Sequence, residues 1–211
     1  MFTTISHRLK IYIYHFNEIF RYWLRKHGLV ISGLTWLNVT IEKGALISGD
    51  LTNIFIAQGT KIESGAKLST KYGGIIRIGK NCQILSGAMI MTYGGNITIG
   101  DFCGINPYTI LYGHGNLNIG NYVRFAAHSL VIPANHSYDS LEMPIYKQPL
   151  TKKGIRLGND VWVGAGVKIL DGVDIGDGVV IGSGSVVTKS LDPYTINVGI
   201  PCKPIQHRKC S

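Results

Sequence analysis

A six-residue repeat of aliphatic positions dominates the C-terminal part of the chain. Counting in sixes from residue 157 gives only aliphatic residues: Leu157, Val163, Ile169, Ile175, Ile181 and Val187. The positions four residues further on are aliphatic except for Ser185: Val161, Val167, Val173, Val179 and Leu191. A period of six fits neither the helical turn of about 3.6 residues nor the simple alternation of a long strand. It predicts a short strand and a tight turn, repeated many times.

Turn-forming residues lie between these aliphatic positions. The pairs are Asn159-Asp160, Ala165-Gly166, Asp171-Gly172, Asp177-Gly178 and Ser183-Gly184. Such residues favour turns because Gly, Asn and Asp accept backbone conformations that other residues avoid. Three strand-turn units make one triangular coil of about 18 residues, and such coils must stack to bury their inner faces. The prediction is a parallel β-helix with an aliphatic interior.

The same pattern continues upstream in a looser form. Coil edges are predicted at residues 39–41, 54–56, 76–78, 97–99 and 117–119. Three Gly-rich segments, 72–74, 93–95 and 113–116, interrupt the period at similar intervals. Their recurrence predicts small loops stacked at one corner of the prism.

The N-terminal segment has a helical pattern instead. Its apolar residues recur at steps of three or four: Ile5, Leu9, Tyr12, Phe16, Ile19, Phe20 and Trp23. We expect an amphipathic α-helix over 1–30, ending near Gly28. It packs on the first coil and covers its open edge, or it attaches peripherally to a membrane, since it mixes basic and aromatic residues. The predicted domains are this helix, a β-helix domain over 31–200 with a loop excursion at 135–154, and a basic tail over 201–211.

Charge and composition narrow the function classes. The formal net charge is +9, and basic residues without acids cluster at 147–156 and in the tail. Such patches suit phosphorylated ligands or an anionic membrane surface, whereas no nucleic-acid-binding motif accompanies them.

The 4 Cys residues have no metal or redox spacing, so we expect free thiols in a reducing compartment. We found neither an apolar run of membrane-spanning length nor a good secretory signal, and we expect a cytoplasmic protein, with attachment to the inner face of the membrane as the alternative.

Three segments together resemble a known enzyme family. They are residues 155–166, reading IRLGNDVWVGAG, residues 179–189, reading VVIGSGSVVTK, and residues 199–205, reading GIPCKPI. The combination resembles the hexapeptide-repeat acyltransferases, in the branch of maltose, galactoside and polysaccharide O-acetyltransferases. The match is strong over about 119–205 and generic upstream. The resemblance implies a left-handed parallel β-helix, assembly as a homotrimer, and acetyl transfer from acetyl-CoA to a sugar hydroxyl.

The resemblance assigns a catalytic role to His136. This residue lies in the segment 133–138, where the six-residue period stops until residue 155. An imidazole suits the removal of a hydroxyl proton near neutral pH. The residues alone favour an ordinary exposed loop histidine at position 136, and the resemblance reverses this preference. Asn106 matches a position that contacts the acceptor in relatives, and a turn Asn before Pro107 explains it equally well.

The resemblance also implies a coenzyme A site between neighbouring subunits. Its matching positions are Trp162, Ala165, Ser183, Thr188, Lys189 and Lys203. The small turn residues suit the amide-bearing pantetheine arm, and the two lysines suit the nucleotide phosphates. Trp162 on a coil edge serves equally well in a trimer contact. For the lysines the alternative is an ordinary solvated surface.

A metal site is the weaker interpretation of the histidines. His114, His128 and His136 together would provide the three ligands of a catalytic zinc, as in γ-class carbonic anhydrases, which share the coil. Their spacing is not that of this class, so we expect no metal.

From the family resemblance, the predicted function is sugar O-acetylation. N-acetylation of an amino or nucleotide-linked sugar is the alternative within enzymes, and a non-catalytic β-helix scaffold is the alternative outside them.

Overall fold

The structure is a computed structural model that describes residues 38–209. The helix expected over residues 1–30 lies outside the described residues, as do Cys210 and Ser211. No helix within 38–209 has the length and apolar character that crossing a membrane requires.

The described residues form short strands of two to five residues. In chain order these are β1 (Thr40–Ile41), β2 (Leu46–Ser48), β3 (Ile54–Ile56), β4 (Lys61–Ile62), β5 (Lys67–Ser69), β6 (Ile76–Ile78), β7 (Gln83–Ile84), β8 (Met89–Met91), β9 (Ile97–Ile99), β10 (Gly104–Ile105), β11 (Ile110–Tyr112), β12 (Leu117–Ile119), β13 (Arg124–Phe125), β14 (Leu130–Ile132), β15 (Asn135–His136), β16 (Leu150–Thr151), β17 (Ile155–Leu157), β18 (Trp162–Val163), β19 (Lys168–Leu170), β20 (Asp174–Ile175), β21 (Val180–Ile181), β22 (Val186–Val187), β23 (Thr195–Val198) and β24 (Lys203–His207). Two 3₁₀ turns, Leu51–Asn53 and Ile145–Lys147, complete the elements of this part of the chain.

Successive strands rotate through three sheets, which we call faces 1, 2 and 3. Face 1 runs β1-β4-β7-β10-β13-β18-β21-β23-β24, face 2 runs β2-β5-β8-β11-β14-β19-β22, and face 3 runs β3-β6-β9-β12-β17-β20. Apart from the final β23–β24 pair, neighbouring strands pair in parallel and in register, as in Ile97 opposite Leu117 and Leu117 opposite Ile155. The expected parallel β-helix is confirmed. Its left-handed sense follows from the family resemblance and stays a prediction.

The interior is built from the positions that the period of six selects. Each of the six residues counted from Leu157 is buried, and so are the five aliphatic residues of the second set. Ser185 is buried too, and its hydroxyl accepts a hydrogen bond from the backbone N–H of Gly199 at 3.0 Å. This bond explains how a polar side chain occupies an inward position, because a buried hydroxyl without a partner would be costly.

The turns between the faces define three corners. Corner A joins faces 1 and 2 and includes residues 106–109 and 164–167; corner B joins faces 2 and 3 and includes 113–116 and 171–173; corner C joins faces 3 and 1 and includes 120–123 and 158–161. In all five predicted turn pairs the second residue has a positive φ, including Asp160 at 54° and Gly172 at 81°. The left-handed conformation explains why Gly and Asp recur at these places.

The C-terminal segment folds back onto the prism. Strand β24 pairs antiparallel with β23 and forms the end of face 1. Arg208 then donates to the Asp160 carboxylate at 2.8 Å and to the Gly178 carbonyl at 3.0 Å. This part of the predicted basic tail is therefore attached to the coil, and the Arg208 side chain forms part of that attachment. Cys82, Cys103 and Cys202 are buried free thiols.

Candidate active site

The largest departure from the coil leaves from corner B. After β14 the chain passes through Pro133 and Ala134, forms β15, and returns through β16 to Gly154. The two short strands pair antiparallel, with Asn135 opposite Thr151 and His136 opposite Leu150. The backbone N–H of Ser137 adds a bond to the carbonyl of Pro149 at 2.9 Å. We call residues 135–154 the excursion loop; a two-stranded ladder closes its base.

His136 lies on this ladder, one residue from the point where the loop leaves the prism. Its side chain is exposed. A histidine on a paired strand has a fixed backbone, so its imidazole is presented to solvent from a defined place. This position suits a group that must reach a bound substrate.

A buried glutamine organises the outer part of the loop. The Gln148 side-chain carbonyl accepts from the backbone N–H of Ser140 at 3.2 Å, and its amide donates to the carbonyls of Ser140 and Met143 at 2.9 Å each. Around this centre, the loop exposes several large apolar side chains: Tyr138, Leu141, Met143, Ile145 and Tyr146.

An aromatic column runs along corner B below the excursion loop. Tyr72 stacks on Tyr93 with ring centroids 5.4 Å apart, and Tyr93 stacks on His114 at 4.6 Å. The predicted stacking of the Gly-rich loops at one corner is thereby confirmed. The Nδ1 atom of His114 is buried and makes no hydrogen bond, and burial together with the Lys152 charge holds the pKa of His114 below its usual value.

Asn and Asp side chains connect successive coils along the corners. At corner B, Asn96 accepts from the backbone N–H of Ile75 at 3.0 Å, and Asn116 accepts from that of Asn96 at 2.9 Å. The excursion loop interrupts this series, because the residue in register after Asn116 is Gly154, which has no side chain. Asp171 in the next coil bonds to the returning chain instead: its carboxylate accepts from the N–H groups of Lys153 at 3.1 Å and Gly154 at 2.9 Å. The turn pattern marks Asp171 only as a turn residue, so its role at the loop base emerges from the structure.

The other predicted site residues divide between two corners and a face. Asn106 is half-buried at corner A, and Ala165 and Ser183 are exposed on later coils of the same corner. The latter two are neighbours, since the backbone N–H of Ala165 donates to the Ser183 hydroxyl at 3.2 Å. Trp162 lies on the outer surface of face 1, just before corner A, and its side chain is about half exposed.

The lysines lie elsewhere. Thr188 and Lys189 are exposed at corner B, two coils beyond the excursion loop, whereas Lys203 is exposed at the start of β24 on face 1. One chain thus brings His136, Thr188 and Lys189 onto corner B but keeps Ala165 and Ser183 on corner A. The two corners are separated by the width of face 2.

A polar groove of 390 Å³ adjoins the base of the excursion loop on face 3. Its lining includes Asn116, Asn118, Lys153, Arg156 and Asp174. Arg156 lies 3.3 Å from Asp174 in an exposed ion pair. The groove is therefore rich in donors and close to the point where the loop rejoins the coil.

The three histidines considered as metal ligands do not converge. His128 lies at corner A and stacks on Tyr108 at 5.1 Å, whereas His114 belongs to corner B and His136 to the excursion loop. Within residues 38–209, no three His, Cys, Asp or Glu side chains are grouped as metal ligands.

Comparisons with known families and proteins give a consistent picture. Residues 154–189 match the family described as bacterial transferase hexapeptide (six repeats). A probable acetyltransferase of Mycobacterium tuberculosis is 28% identical over 158 residues, covering 75% of this chain and 51% of that protein, so the chain spans about half the length of this relative. The dTDP-4-amino-4,6-dideoxy-D-glucose acyltransferase of Escherichia coli is 29% identical over 159 residues, covering 73% of this chain and 83% of the enzyme.

Solved structures show the same fold with coenzyme A bound. A point mutant of AntD, an N-acyltransferase from Bacillus cereus, was solved in complex with dTDP and coenzyme A. It superposes with a TM-score of 0.59 at 26% identity, covering 82% of each chain. A galactoside acetyltransferase in complex with coenzyme A superposes with a TM-score of 0.55 at 30% identity, covering 63% of this chain and 64% of that one.

Proposed function

We propose that the chain, which is similar to the bacterial hexapeptide-repeat transferases, transfers an acetyl group from acetyl-CoA to a hydroxyl of a sugar or glycan precursor. The observation that carries the proposal is the exposed His136 imidazole, held by the β15–β16 ladder at a corner of the prism. The coenzyme A complexes of similar structures support the choice of donor.

His136 acts as the general base in this proposal. The acceptor hydroxyl oxygen attacks the carbonyl carbon of the thioester while the imidazole takes the hydroxyl proton. When the tetrahedral intermediate collapses, the carbon–sulfur bond breaks, and the imidazolium returns the proton to the departing thiolate. The products are a sugar ester and free coenzyme A, and the base returns to its neutral form.

The donor binds along corner A of a neighbouring copy. Ala165 and Ser183 present small side chains and backbone groups to the pantetheine arm, with Trp162 beside it. The family pattern adds three further residues to the coenzyme A site: Thr188, Lys189 and Lys203. The two lysines would bind the nucleotide phosphates. Because a face separates corners A and B in one chain, a homotrimer that places corner A of one copy against corner B of the next would complete the site.

The acceptor is proposed to lie between the His136 loop of one copy and Asn106 on corner A of the next. The groove beside the loop base, with Lys153 and Arg156, suits a phosphorylated portion of an activated or lipid-linked sugar. N-acylation of an amino sugar is the second candidate, because one similar protein is named an N-acyltransferase and another an acyltransferase of a dTDP-linked amino sugar. We expect the protein to work in the cytoplasm without a metal. Contact with the inner face of the membrane would depend on the N-terminal segment.

The test offers acetyl-CoA with free sugars, amino sugars and diphosphate-linked sugars, and measures thiol release. We expect the variant His136→Asn to lose about 100- to 10,000-fold in kcat with a hydroxyl acceptor while coenzyme A binding is retained, since a general base contributes about that much. His128→Asn is the matched control, because it removes an exposed imidazole at corner A and Asn tolerates the φ of 61° at that position.

Two results would overturn the proposal. Equal activity in His136→Asn and the unchanged protein would exclude His136 as the base. Calorimetry that shows no heat with coenzyme A would favour the scaffold alternative. If the protein acetylated amino sugars and no other acceptor, the result would support N-acylation instead of O-acetylation.

A further inference from the structure

We infer that Asp171 is a positioning residue for the acyl transfer, because its carboxylate fastens the base of the loop that carries His136. The inference rests on the proposed function for its effect on turnover, but the fastening itself can be measured without any substrate.

The first argument is the set of groups that meet the carboxylate. One oxygen accepts from the backbone N–H of Gly154 at 2.9 Å, and the other accepts from that of Lys153 at 3.1 Å. The Thr151 hydroxyl lies 3.3 Å from this second oxygen. All three donors belong to the returning limb of the excursion loop. Hydrogen bonds to an ionised acceptor are stronger than those between neutral groups, so a carboxylate at this position holds the returning limb more strongly than a neutral acceptor would.

The second argument is the path from Asp171 to His136. The Thr151 hydroxyl also lies 3.3 Å from the carbonyl oxygen of Asn135. It can therefore donate a hydrogen bond either to this carbonyl or to the Asp171 carboxylate. Thr151 is paired with Asn135, the residue directly before His136. A shift of the returning limb would therefore move the strand from which the imidazole projects.

The third argument is the break in the corner B series of side chains. Asn96 and Asn116 each join one coil to the next, but Gly154 offers no side chain to Asn116. A glycine is required at 154, whose φ is +88° and where an added Cβ would lie 2.6 Å from the carbonyl oxygen of Gly115. From the following coil, Asp171 accepts from the N–H of Gly154 itself, and so it attaches the returning limb to the prism directly after the break.

The chain contains a matched control for this role. Asp177 lies on the same coil as Asp171, at corner C, and its carboxylate accepts from the backbone N–H of Asn159 at 2.6 Å. It thus makes the same kind of coil-to-coil bond, but at a corner without an excursion. Asp171→Asn replaces one of two accepting oxygens with a donor. Asp177→Asn removes the same charge but keeps an oxygen that can accept from Asn159, since both contacts of Asp177 go to one oxygen.

The experiment compares Asp171→Asn with Asp177→Asn. We expect Asp171→Asn to lower kcat by up to about 100-fold, since small misplacements of a reacting group have effects of this size, with the affinity for coenzyme A unchanged. Hydrogen exchange of the amides in 135–154 should rise in this variant only. Asp177→Asn should leave kcat and loop exchange near those of the unchanged protein. Thr151→Ser should keep the activity that Thr151→Val loses in part.

The outcomes separate the inference from the proposed function. Equal loop exchange in the two Asp variants, or equal kcat where turnover is measurable, would overturn the positioning role. A lack of turnover in the unchanged protein would remove the proposed function, whereas the exchange comparison would still decide whether Asp171 holds the loop.

Discussion

At the scale of single residues, His114 is a titratable group of corner B whose surroundings favour one protonation state. Its ring is stacked on Tyr93, its Nδ1 atom is buried without a partner, and Lys152 is a nearby positive charge. Burial, followed by the Lys152 charge, lowers its pKa, so the folded protein favours the neutral imidazole. The unfolded chain has no such preference and binds a proton below about pH 6.5. The stabilising contribution of a neutral His114 is therefore present above this pH and is lost as the pH falls towards the lowered pKa of the folded state.

Replacing His114 by Phe should reduce this pH dependence. Phenylalanine keeps a flat ring against Tyr93 and removes both the titration and the unpaired nitrogen. We expect the urea midpoint of His114→Phe to fall less between pH 8 and pH 5 than that of the unchanged protein. Equal falls in the two proteins would show that His114 does not contribute to the acid sensitivity.

At the scale of elements, the excursion loop is stabilised by hydrogen bonds more than by apolar burial. Gln148 is the buried side chain of its outer part, and its amide group joins Ser140 and Met143. The large apolar side chains of the same segment point outwards. A loop of this kind opens more easily than the coil beneath it, whose strands pair on both sides.

The substitution Gln148→Ala should loosen the loop and leave the prism intact. Because it leaves backbone groups without partners, we expect the free energy of local opening to fall by about 1–3 kcal/mol. Hydrogen exchange and limited proteolysis within 137–149 would detect the change. Gln83→Ala, on the exposed outer surface of face 1, is the control. Similar protection of the loop in both variants would contradict the assignment.

At the scale of the whole molecule, the candidate site is divided between surfaces that one chain keeps apart. Corner B carries the His136 loop, and corner A carries Ala165 and Ser183. A second copy placed as proposed, with its corner A against corner B of the first, would bring the two together. Closed cyclic assemblies place different patches of identical chains in contact, as this arrangement requires.

Mixing two inactive variants tests the shared site. His136→Asn lacks the base, and Ala165→Trp blocks the donor corner, so each alone should be inactive. When the two variants are co-expressed in equal amounts and assemble at random, about a quarter of all sites should combine an intact loop from one copy with an intact corner from the next, and that share of the activity should return. If each chain formed its own complete site, mixing would restore nothing, and a monomer in light scattering would likewise exclude the shared site.

The period of six, the turn pairs and the aliphatic positions were sufficient to predict the prism, its core and the stacked loops of corner B. These features are local: burial recurs with the period, and the second residue of each turn pair needs a positive φ, so the order of residues determines them directly. The residues named for the site came from the family resemblance, and their roles remain proposals. Only the tertiary structure decided that Ala165 and Ser183 lie on a different corner from His136, and that Asp171 anchors a limb that begins twenty residues earlier at Thr151. Such neighbours arise because the coils stack at right angles to the chain direction. Where a loop interrupts the period, no local sequence pattern indicates which side chain will accept hydrogen bonds from the backbone N–H groups of the loop.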